Sequence, residues 1–126
     1  MGDKFKILLV EDDSFLLQMY ATKLDLEGFV VSEATDGDKG IRMAKKVLPD
    51  LILLDMLLPK KDGLEVLKEL KSDSSTKDIP VIVLSNDGQR ERIDKCLALG
   101  ARDYLIKAHF VPSEVIAHVR EVLEKF

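Results

Sequence analysis

The sequence predicts a doubly wound α/β domain built on one parallel sheet. Short apolar runs alternate with amphipathic stretches along the chain, five of each. Two of the runs, LILL at residues 51–54 and PVIVL at residues 80–84, lack polar alternation, as expected of strands buried between two layers of helices. Glycine and proline residues mark most of the boundaries. Five strand–helix units of this kind predict a parallel sheet with helices on both faces.

The first two units have clear boundaries. The run KILLV predicts a strand at residues 6–10, and a helix over residues 14–27 follows and stops at Gly28. Its apolar residues fall on one face: Leu16, Leu17, Tyr20 and Leu24. The run VVSEA predicts the second strand at residues 30–34, and a helix over residues 38–48 stops at Pro49.

The remaining three units repeat the pattern. After the strand at residues 51–54, a helix over residues 62–71 follows Pro59. After the strand at residues 80–84, a helix over residues 88–99 ends at Gly100. The last unit pairs a strand at residues 103–106 (DYLI) with a helix that has Pro112 in its first turn and runs to the C-terminus.

Composition limits the function classes. A chain of 126 residues with 46% hydrophobic residues predicts one globular domain. No apolar run approaches the roughly 20 residues that span a bilayer, so we expect a soluble, cytoplasmic protein without a membrane partner. The net charge is −4 and the basic residues are scattered, which argues against direct nucleic-acid binding. The single cysteine, Cys96, is expected to be a small apolar residue on the inner face of its helix, beside Ile93 and Leu97.

Chemistry-bearing side chains follow four of the five strands. Ligands of such sheets bind outside the carboxyl ends of the strands, near the point where strand order reverses. The groups found there are these: Glu11, Asp12 and Asp13 after the first strand, Asp55 after the third, Ser85 after the fourth and Lys107 after the fifth. Each alone has a structural explanation, such as a helix cap or a solvated loop residue. Their convergence favours a site, whereas the second strand, which lacks such a group, suits the sheet edge.

The residue types predict a hard cation and a phosphoryl group. Carboxylate oxygens favour Mg²⁺, which keeps water and substrate phosphate in its other positions. Neither His109 nor His118 falls at a strand end, so zinc is not expected. A divalent ion and the Lys107 ammonium together offset the carboxylates, and a nearly neutral site of this kind can accept a phosphoryl group.

The chain resembles the receiver domain of two-component response regulators, and is similar to stand-alone chemotaxis-like members. Four motifs carry the resemblance, in order and at the ends of the right strands: the acidic pair in LLVEDD, the pattern DMLLPKKDG, the hydroxyl in VIVLSN and the pattern GARDYLIK. The resemblance covers essentially the whole chain, so we expect one receiver domain over residues 1–126. It implies a flavodoxin-like (βα)5 fold with strand order 2-1-3-4-5.

The resemblance also implies residue roles. Asp55 would be the nucleophile that accepts a phosphoryl group from a sensor histidine kinase or phosphotransfer protein. Mg²⁺ (or Mn²⁺) would be held by Asp12, Asp55 and the backbone carbonyl of Leu57, with Glu11 acting through water. Lys107 would neutralise phosphoryl charge.

The same resemblance implies a switch. Ser85 would bind a phosphoryl oxygen, and Tyr104 would turn inward. The face made by the fourth helix, fifth strand and fifth helix would then bind a downstream protein. The chain would be no enzyme beyond self-phosphorylation and slow self-dephosphorylation, and would be a monomer or a phosphorylation-dependent dimer.

Two positions depart from the family pattern. Asn86 stands where the family commonly has a small residue, and either it or Asp87 tunes hydrolysis of the acyl phosphate or caps the fourth helix. Ala108 stands where the family usually has a cis proline. A cis bond before a residue other than proline costs roughly 3 kcal/mol, so the Lys107–Ala108 bond is either relaxed to trans or held strained. The fifth helix lacks a good cap, because Val111 precedes Pro112.

Other classes are weaker. An aspartate-nucleophile phosphohydrolase would carry a second aspartate where Leu57 stands, and a flavin or nucleotide carrier would need a Gly- or Ser/Thr-rich cradle where VEDDS stands. A receiver-like interaction module that no longer depends on phosphorylation stays open. Within the acidic triplet, we expect Glu11 and Asp12 to serve the metal and Asp13 to start the first helix.

Overall fold

A computed structural model describes residues 4–124. It has five strands, β1 to β5: Lys6–Val10, Val30–Ala34, Leu51–Leu54, Val81–Ser85 and Asp103–Ile106. It has five α-helices, α1 to α5: Ser14–Leu26, Gly37–Val47, Gly63–Ser72, Arg90–Ala98 and Pro112–Glu124. All ten predicted elements are present in the predicted order, and their ends within the described residues shift by at most two positions. The prediction that the fifth helix runs to the C-terminus concerns residues 125 and 126, which lie outside the described residues. A short 3₁₀ turn at Lys107–His109 was not predicted.

The strands form one parallel sheet in the order β2-β1-β3-β4-β5, as the resemblance implied. Val10 at the end of β1 pairs with Leu54 at the end of β3, so these two strands finish at the same level. The order reverses between them, because the chain goes from β1 outward to β2 and returns to β3 on the other side. β2 lies at an edge, as expected from the absence of a site residue at its end.

Alternate residues of β1 enter two separate cores. Ile7 and Leu9 pack in the cluster that includes the buried faces of α1 and α5. Leu8 and Val10 pack in the cluster on the other face, which includes residues of α2, α3 and α4. Successive side chains of a strand point to opposite faces, so a strand without polar alternation is buried on both. In β3, Leu51 and Leu53 belong to the first cluster and Ile52 and Leu54 to the second, which confirms the burial on both faces predicted for the run LILL.

Side chains close the starts of the first three helices. Asp13 accepts a hydrogen bond from the N–H of Leu16 at 3.0 Å, which confirms the predicted role of Asp13 at the start of α1. Asp36 and Asp62 cap α2 and α3 in the same way. Because Asp36 is the cap, α2 begins one residue before its predicted start.

The last two helices differ from expectation at their starts. α4 begins at Arg90 instead of residue 88, and its cap residue, Gln89, makes no side-chain capping bond. Asp87 accepts from the N–H of Gln89, outside the helix, so neither Asp87 nor Asn86 occupies the cap position. At α5 the Glu114 carboxylate reaches back to the N–H of Val111 at 2.9 Å, which compensates for the poor cap. Among residues 4–124, no helix combines the length and apolar character needed to cross a bilayer.

Candidate functional site

Three strands deliver three charged side chains to one place. Glu11 follows β1, Asp55 follows β3 and Lys107 follows β5. The Lys107 ammonium donates to Glu11 Oε1 and to Asp55 Oδ2, the latter at 3.0 Å. Only 3% of Glu11 and 6% of Asp55 is exposed, so the ion cluster is largely withdrawn from water. The predicted convergence of these groups is therefore present in the structure.

Main-chain bonds fix the two carboxylates. The N–H of Asp55 donates to the carbonyl of Val10 at 3.1 Å, which ties the residue after β3 to the end of β1. Asp55 Oδ1 accepts from the N–H of Leu57 at 3.2 Å. Glu11 Oε2 accepts from the N–H of Asp13 at 3.0 Å. Each carboxylate thus has one oxygen on the ammonium and the other on a backbone amide.

The site carries more negative than positive charge. Burial raises the pKa of Glu11, and the charge of Asp55 adds to this effect, against the opposing bonds from Lys107 and Asp13. Burial alone would lower the pKa of Lys107, but the hydrogen bond to Glu11 and the charge of Asp55 outweigh it and raise that pKa. The ammonium is therefore firmly charged, while two carboxylates share it. A further cation would relieve the remaining repulsion.

The donor set suits Mg²⁺. Among residues 4–124, no three His, Cys, Asp or Glu side chains already form a metal-binding group. Mg²⁺ does not require one, because it commonly binds through one or two carboxylates and completes its shell with carbonyls, water and phosphate oxygens. Glu11 and Asp55 are buried side by side, and Asp12 is exposed at the same strand end. The residues present therefore fit a hard divalent cation at this position.

Ser85 and Tyr104 meet at a third residue instead of at the carboxylates. Ser85 is fully buried, and its hydroxyl accepts from the N–H of Asp87 at 3.3 Å. Tyr104 is half-buried, and its hydroxyl donates to the main-chain carbonyl of Asp87. Burial, with the nearby charge of Asp87, raises the pKa of Tyr104 to about 12. Asp87 thus connects the two predicted switch residues.

Two contacts of the β4–α4 loop were not foreseen. The Asp87 carboxylate pairs with Nε of Arg92 in α4 at 2.9 Å. The side-chain oxygen of Asn86 accepts from the N–H of Ala108 at 3.1 Å. The bond between Lys107 and Ala108 is trans, which resolves the open alternative. Alanine at position 108 has an N–H that proline lacks, so the sequence indicated a donor there but not its acceptor.

The sequence that forms this site and sheet matches the model of a known protein family. The model described as the response regulator receiver domain matches residues 7–120. The chain belongs to this family. As a receiver domain it is a signalling domain of two-component systems and not an enzyme of the usual kind.

Curated relatives of this receiver domain include transcriptional regulators. The phosphate regulon transcriptional regulatory protein PhoB of Escherichia coli is 38% identical over 120 residues, which are 95% of this chain and 52% of PhoB. The DNA-binding dual master transcriptional regulator RpaA of Synechocystis is 39% identical, over 95% of this chain and 49% of RpaA. The chain spans about half the length of the curated relatives it matches.

Solved receiver domains cover nearly all of the fold. The receiver domain of the Francisella response regulator 1452 is 30% identical with a TM-score of 0.88, and the match covers 97% of this chain and 98% of that one. The chemotaxis response regulator CheY4 of Vibrio cholerae is 28% identical with a TM-score of 0.88, over 95% of this chain and 99% of that one. The similarity extends from β1 to α5.

Proposed function

We propose that this receiver domain is a phosphoacceptor switch in which Asp55 takes a phosphoryl group from a histidine kinase or phosphotransfer protein. The observation that carries the proposal is the buried pair of carboxylates, Glu11 and Asp55, on one ammonium at the strand ends. Burying two carboxylates on one ammonium lowers the stability of the fold, because desolvated like charges repel each other. The presence of such a cluster therefore favours a functional role. A site that gathers oxygen donors around one lysine suits phosphoryl transfer.

The transfer step uses the groups already in place. A carboxylate oxygen of Asp55 attacks phosphorus, the bond from phosphorus to the donor imidazole nitrogen breaks, and an acyl phosphate forms. The electron pair of the broken bond stays on the imidazole nitrogen. The imidazole leaves as a neutral ring if its other nitrogen is already protonated, and otherwise takes a proton from water. Lys107 lies 3.0 Å from Asp55 Oδ2 and offsets the charge of the incoming phosphoryl oxygens. The backbone N–H of Leu57 orients the other oxygen of Asp55.

A divalent cation completes the charge balance. Mg²⁺ or Mn²⁺ would be held by Asp12, Asp55 and the main-chain carbonyl of Leu57, with Glu11 reaching it through water. When bound, it neutralises carboxylate charge and polarises the phosphoryl group. The excess negative charge at Glu11 and Asp55 supports this assignment.

Intact mass after incubation with Mg²⁺ and acetyl phosphate tests the proposal. We expect the wild type to gain the mass of one phosphoryl group and Asp55→Asn to gain none. Asp62→Asn is the matched control, because Asp62 lies in the same loop but caps α3, a role that asparagine also fills. A wild-type protein that gains no mass under any condition would favour an interaction module that no longer depends on phosphorylation.

The output face follows from the same site. In the switched state Ser85 donates its hydroxyl to a phosphoryl oxygen and draws the β4–α4 loop inward, and Asp87 of this loop contacts Ser85, Tyr104 and Arg92. These contacts reach α4 and β5, so the surface formed by α4, β5 and α5 is the one proposed to bind a downstream protein. We propose that the chain works in the cytoplasm, without direct nucleic-acid contact, as a monomer or a phosphorylation-dependent dimer. Gel filtration and capture of a downstream protein, with and without the phosphoryl group, test this part.

A further inference from the structure

We infer that Asn86 is a positioning residue for Lys107 and acts through the main-chain N–H of Ala108. The inference rests on the proposed function, because it concerns the rate at which Asp55 gains a phosphoryl group. Its basis is the 3.1 Å hydrogen bond from Ala108 N to Asn86 Oδ1, which joins two loops 22 residues apart. The β4–α4 loop is thereby attached to the β5–α5 loop at the mouth of the site.

The bond supplies an acceptor that the local chain does not. Lys107–His109 forms a single 3₁₀ turn, and the N–H groups in the first turn of a helix have no acceptor within it. The residue in the cap position, Ile106, makes no side-chain capping bond. Asn86 takes this role from another loop, so it acts as a cap that is remote in sequence. The turn itself contributes the 3.3 Å bond from Phe110 N to Lys107 O, which leaves the N–H of Ala108 to the side chain of Asn86.

The N–H of Ala108 that Asn86 binds lies next to the backbone of Lys107, whose ammonium is the cation of the site. The N–H of Ala108 belongs to the peptide group that joins Ala108 to Lys107. The Lys107 side chain then runs inward, to Glu11 and to Asp55. A cation that is held before the reaction stabilises developing charge without reorganisation, whereas a mobile one does not. Fixing this peptide therefore fixes where the ammonium stands when a phosphoryl group arrives.

The size of Asn86 offers an alternative explanation for any effect of this residue on the rate of phosphoryl gain. Asn86 follows Ser85 directly and is exposed, so the alternative is that its bulk hinders the approach of the phosphoryl donor. Two substitutions separate the effects. Asn86→Leu keeps approximately the shape and removes the acceptor, whereas Asn86→Ala removes both.

The test measures the rate of phosphoryl gain as a function of acetyl phosphate concentration at saturating Mg²⁺. We expect Asn86→Leu to lower the limiting rate about fivefold, the scale of one ordinary hydrogen bond, and to leave the half-saturating donor concentration unchanged. Hydrogen exchange at the Ala108 amide should be faster in Asn86→Leu than in the wild type.

The possible failures are distinguishable. A wild-type protein that gains no phosphoryl group would overturn the proposed function and this inference with it. A wild type that is phosphorylated, with Asn86→Leu equally fast and Asn86→Ala faster, would show that Asn86 acts by size and would overturn the inference alone. Hydrogen exchange at the Ala108 amide that is no faster in Asn86→Leu than in the wild type would also overturn it, because the amide would then not depend on Asn86 for its acceptor.

Discussion

The hydroxyl of Tyr104 donates a hydrogen bond to the main-chain carbonyl of Asp87, so β5 is tied to the loop that follows β4. The N–H of the same Asp87 donates to the Ser85 hydroxyl at 3.3 Å, and its carboxylate pairs with Arg92 of α4. One residue thus contacts both predicted switch side chains and the helix beside them. Movement at Ser85 therefore has a direct covalent and hydrogen-bonded route to Tyr104.

Titration of Tyr104 should report this contact. The pKa of its phenol is raised to about 12, because burial and the charge of Asp87 disfavour the phenolate. The chain has two tyrosines and no tryptophan, so absorbance of tyrosinate is easy to follow. We expect the titration curve of the wild type minus that of Tyr104→Phe to have its midpoint near pH 12. A midpoint near the ordinary value of 10.0 would mean that the side chain stands free in solution.

The strand-end residues were predictable because their positions depend on short-range rules. An apolar run that is buried on both faces must end where the first charged residue appears, and parallel strands end at one edge of the sheet. Glu11 and Asp55 are placed by those two rules, Lys107 follows the last strand at the same edge, and the structure joins the three through one ammonium. The pattern of types and spacings was sufficient for this part of the site.

The loop contacts were not predictable from local pattern. Asn86 has the chemistry of a helix cap, and the sequence offers α4 as the nearest helix, but its oxygen bonds to Ala108 in another loop. Asp87 also suits a cap, yet its carboxylate is used by Arg92 and by the N–H of Gln89. Which of several acceptors a short polar side chain contacts depends on how two loops approach each other, and no periodicity encodes that distance.

Metal-free stability should fall with rising pH because of Glu11. The pKa of this carboxyl is raised above 4.5 by burial, so the folded state binds more protons than the unfolded state just above that pH. Its contribution is therefore fully present below pH 4.5 and is lost as the pH rises through the folded-state value. Urea unfolding of the wild type and Glu11→Gln, at several pH values between 4 and 8 without metal, measures the difference.

We expect the free energy of unfolding of Glu11→Gln, minus that of the wild type, to increase as the pH rises. Glu33→Gln serves as the control, since Glu33 is an exposed carboxylate on the edge strand β2. If the difference between wild type and Glu11→Gln does not change with pH, the Glu11 carboxylate experiences no net penalty in the fold.

Metal affinity should separate the members of the acidic triplet. Glu11→Gln or Asp12→Asn should weaken Mg²⁺ binding by about tenfold or more, because each removes a charge worth at least about 1.4 kcal/mol next to a divalent ion. Asp13→Asn should change it little, since Asp13 accepts from the N–H of Leu16 and asparagine caps a helix equally well. Calorimetric titration with Mg²⁺ gives the three affinities. Equal losses in all three variants would contradict the division.

The thiol of Cys96 should be unreactive in the folded protein. Cys96 is fully buried, with its sulfur 3.4 Å from the sulfur of Met56, and burial raises its pKa. Its burial confirms the predicted position on the inner face of α4, although the neighbouring Leu97 is 45% exposed. We expect a thiol reagent such as dithionitrobenzoate to label it only in denaturant. Rapid stoichiometric labelling of the native protein at neutral pH would show that the helix opens.

Gly63 should be intolerant of any side chain, because it packs against the backbone of Asp55, the proposed phosphoacceptor, and of Met56. An added Cβ would lie 2.5 Å from Cα of Met56 and closer still to the main-chain oxygen of Asp55. The N–H of Gly63 also donates to the carbonyl of Met56 at 2.9 Å, so the start of α3 cannot move away without losing this bond. Backbone atoms cannot rotate aside as side chains do, and we expect Gly63→Ala to destabilise the protein by about 2 kcal/mol or more.

The matched control is Gly88→Ala, where the nearest atom is the flexible end of Ile106 at 3.2 Å. Urea unfolding compares the two, and a Gly63→Ala variant as stable as Gly88→Ala would show that the β3–α3 loop shifts freely and does not hold Asp55 in place.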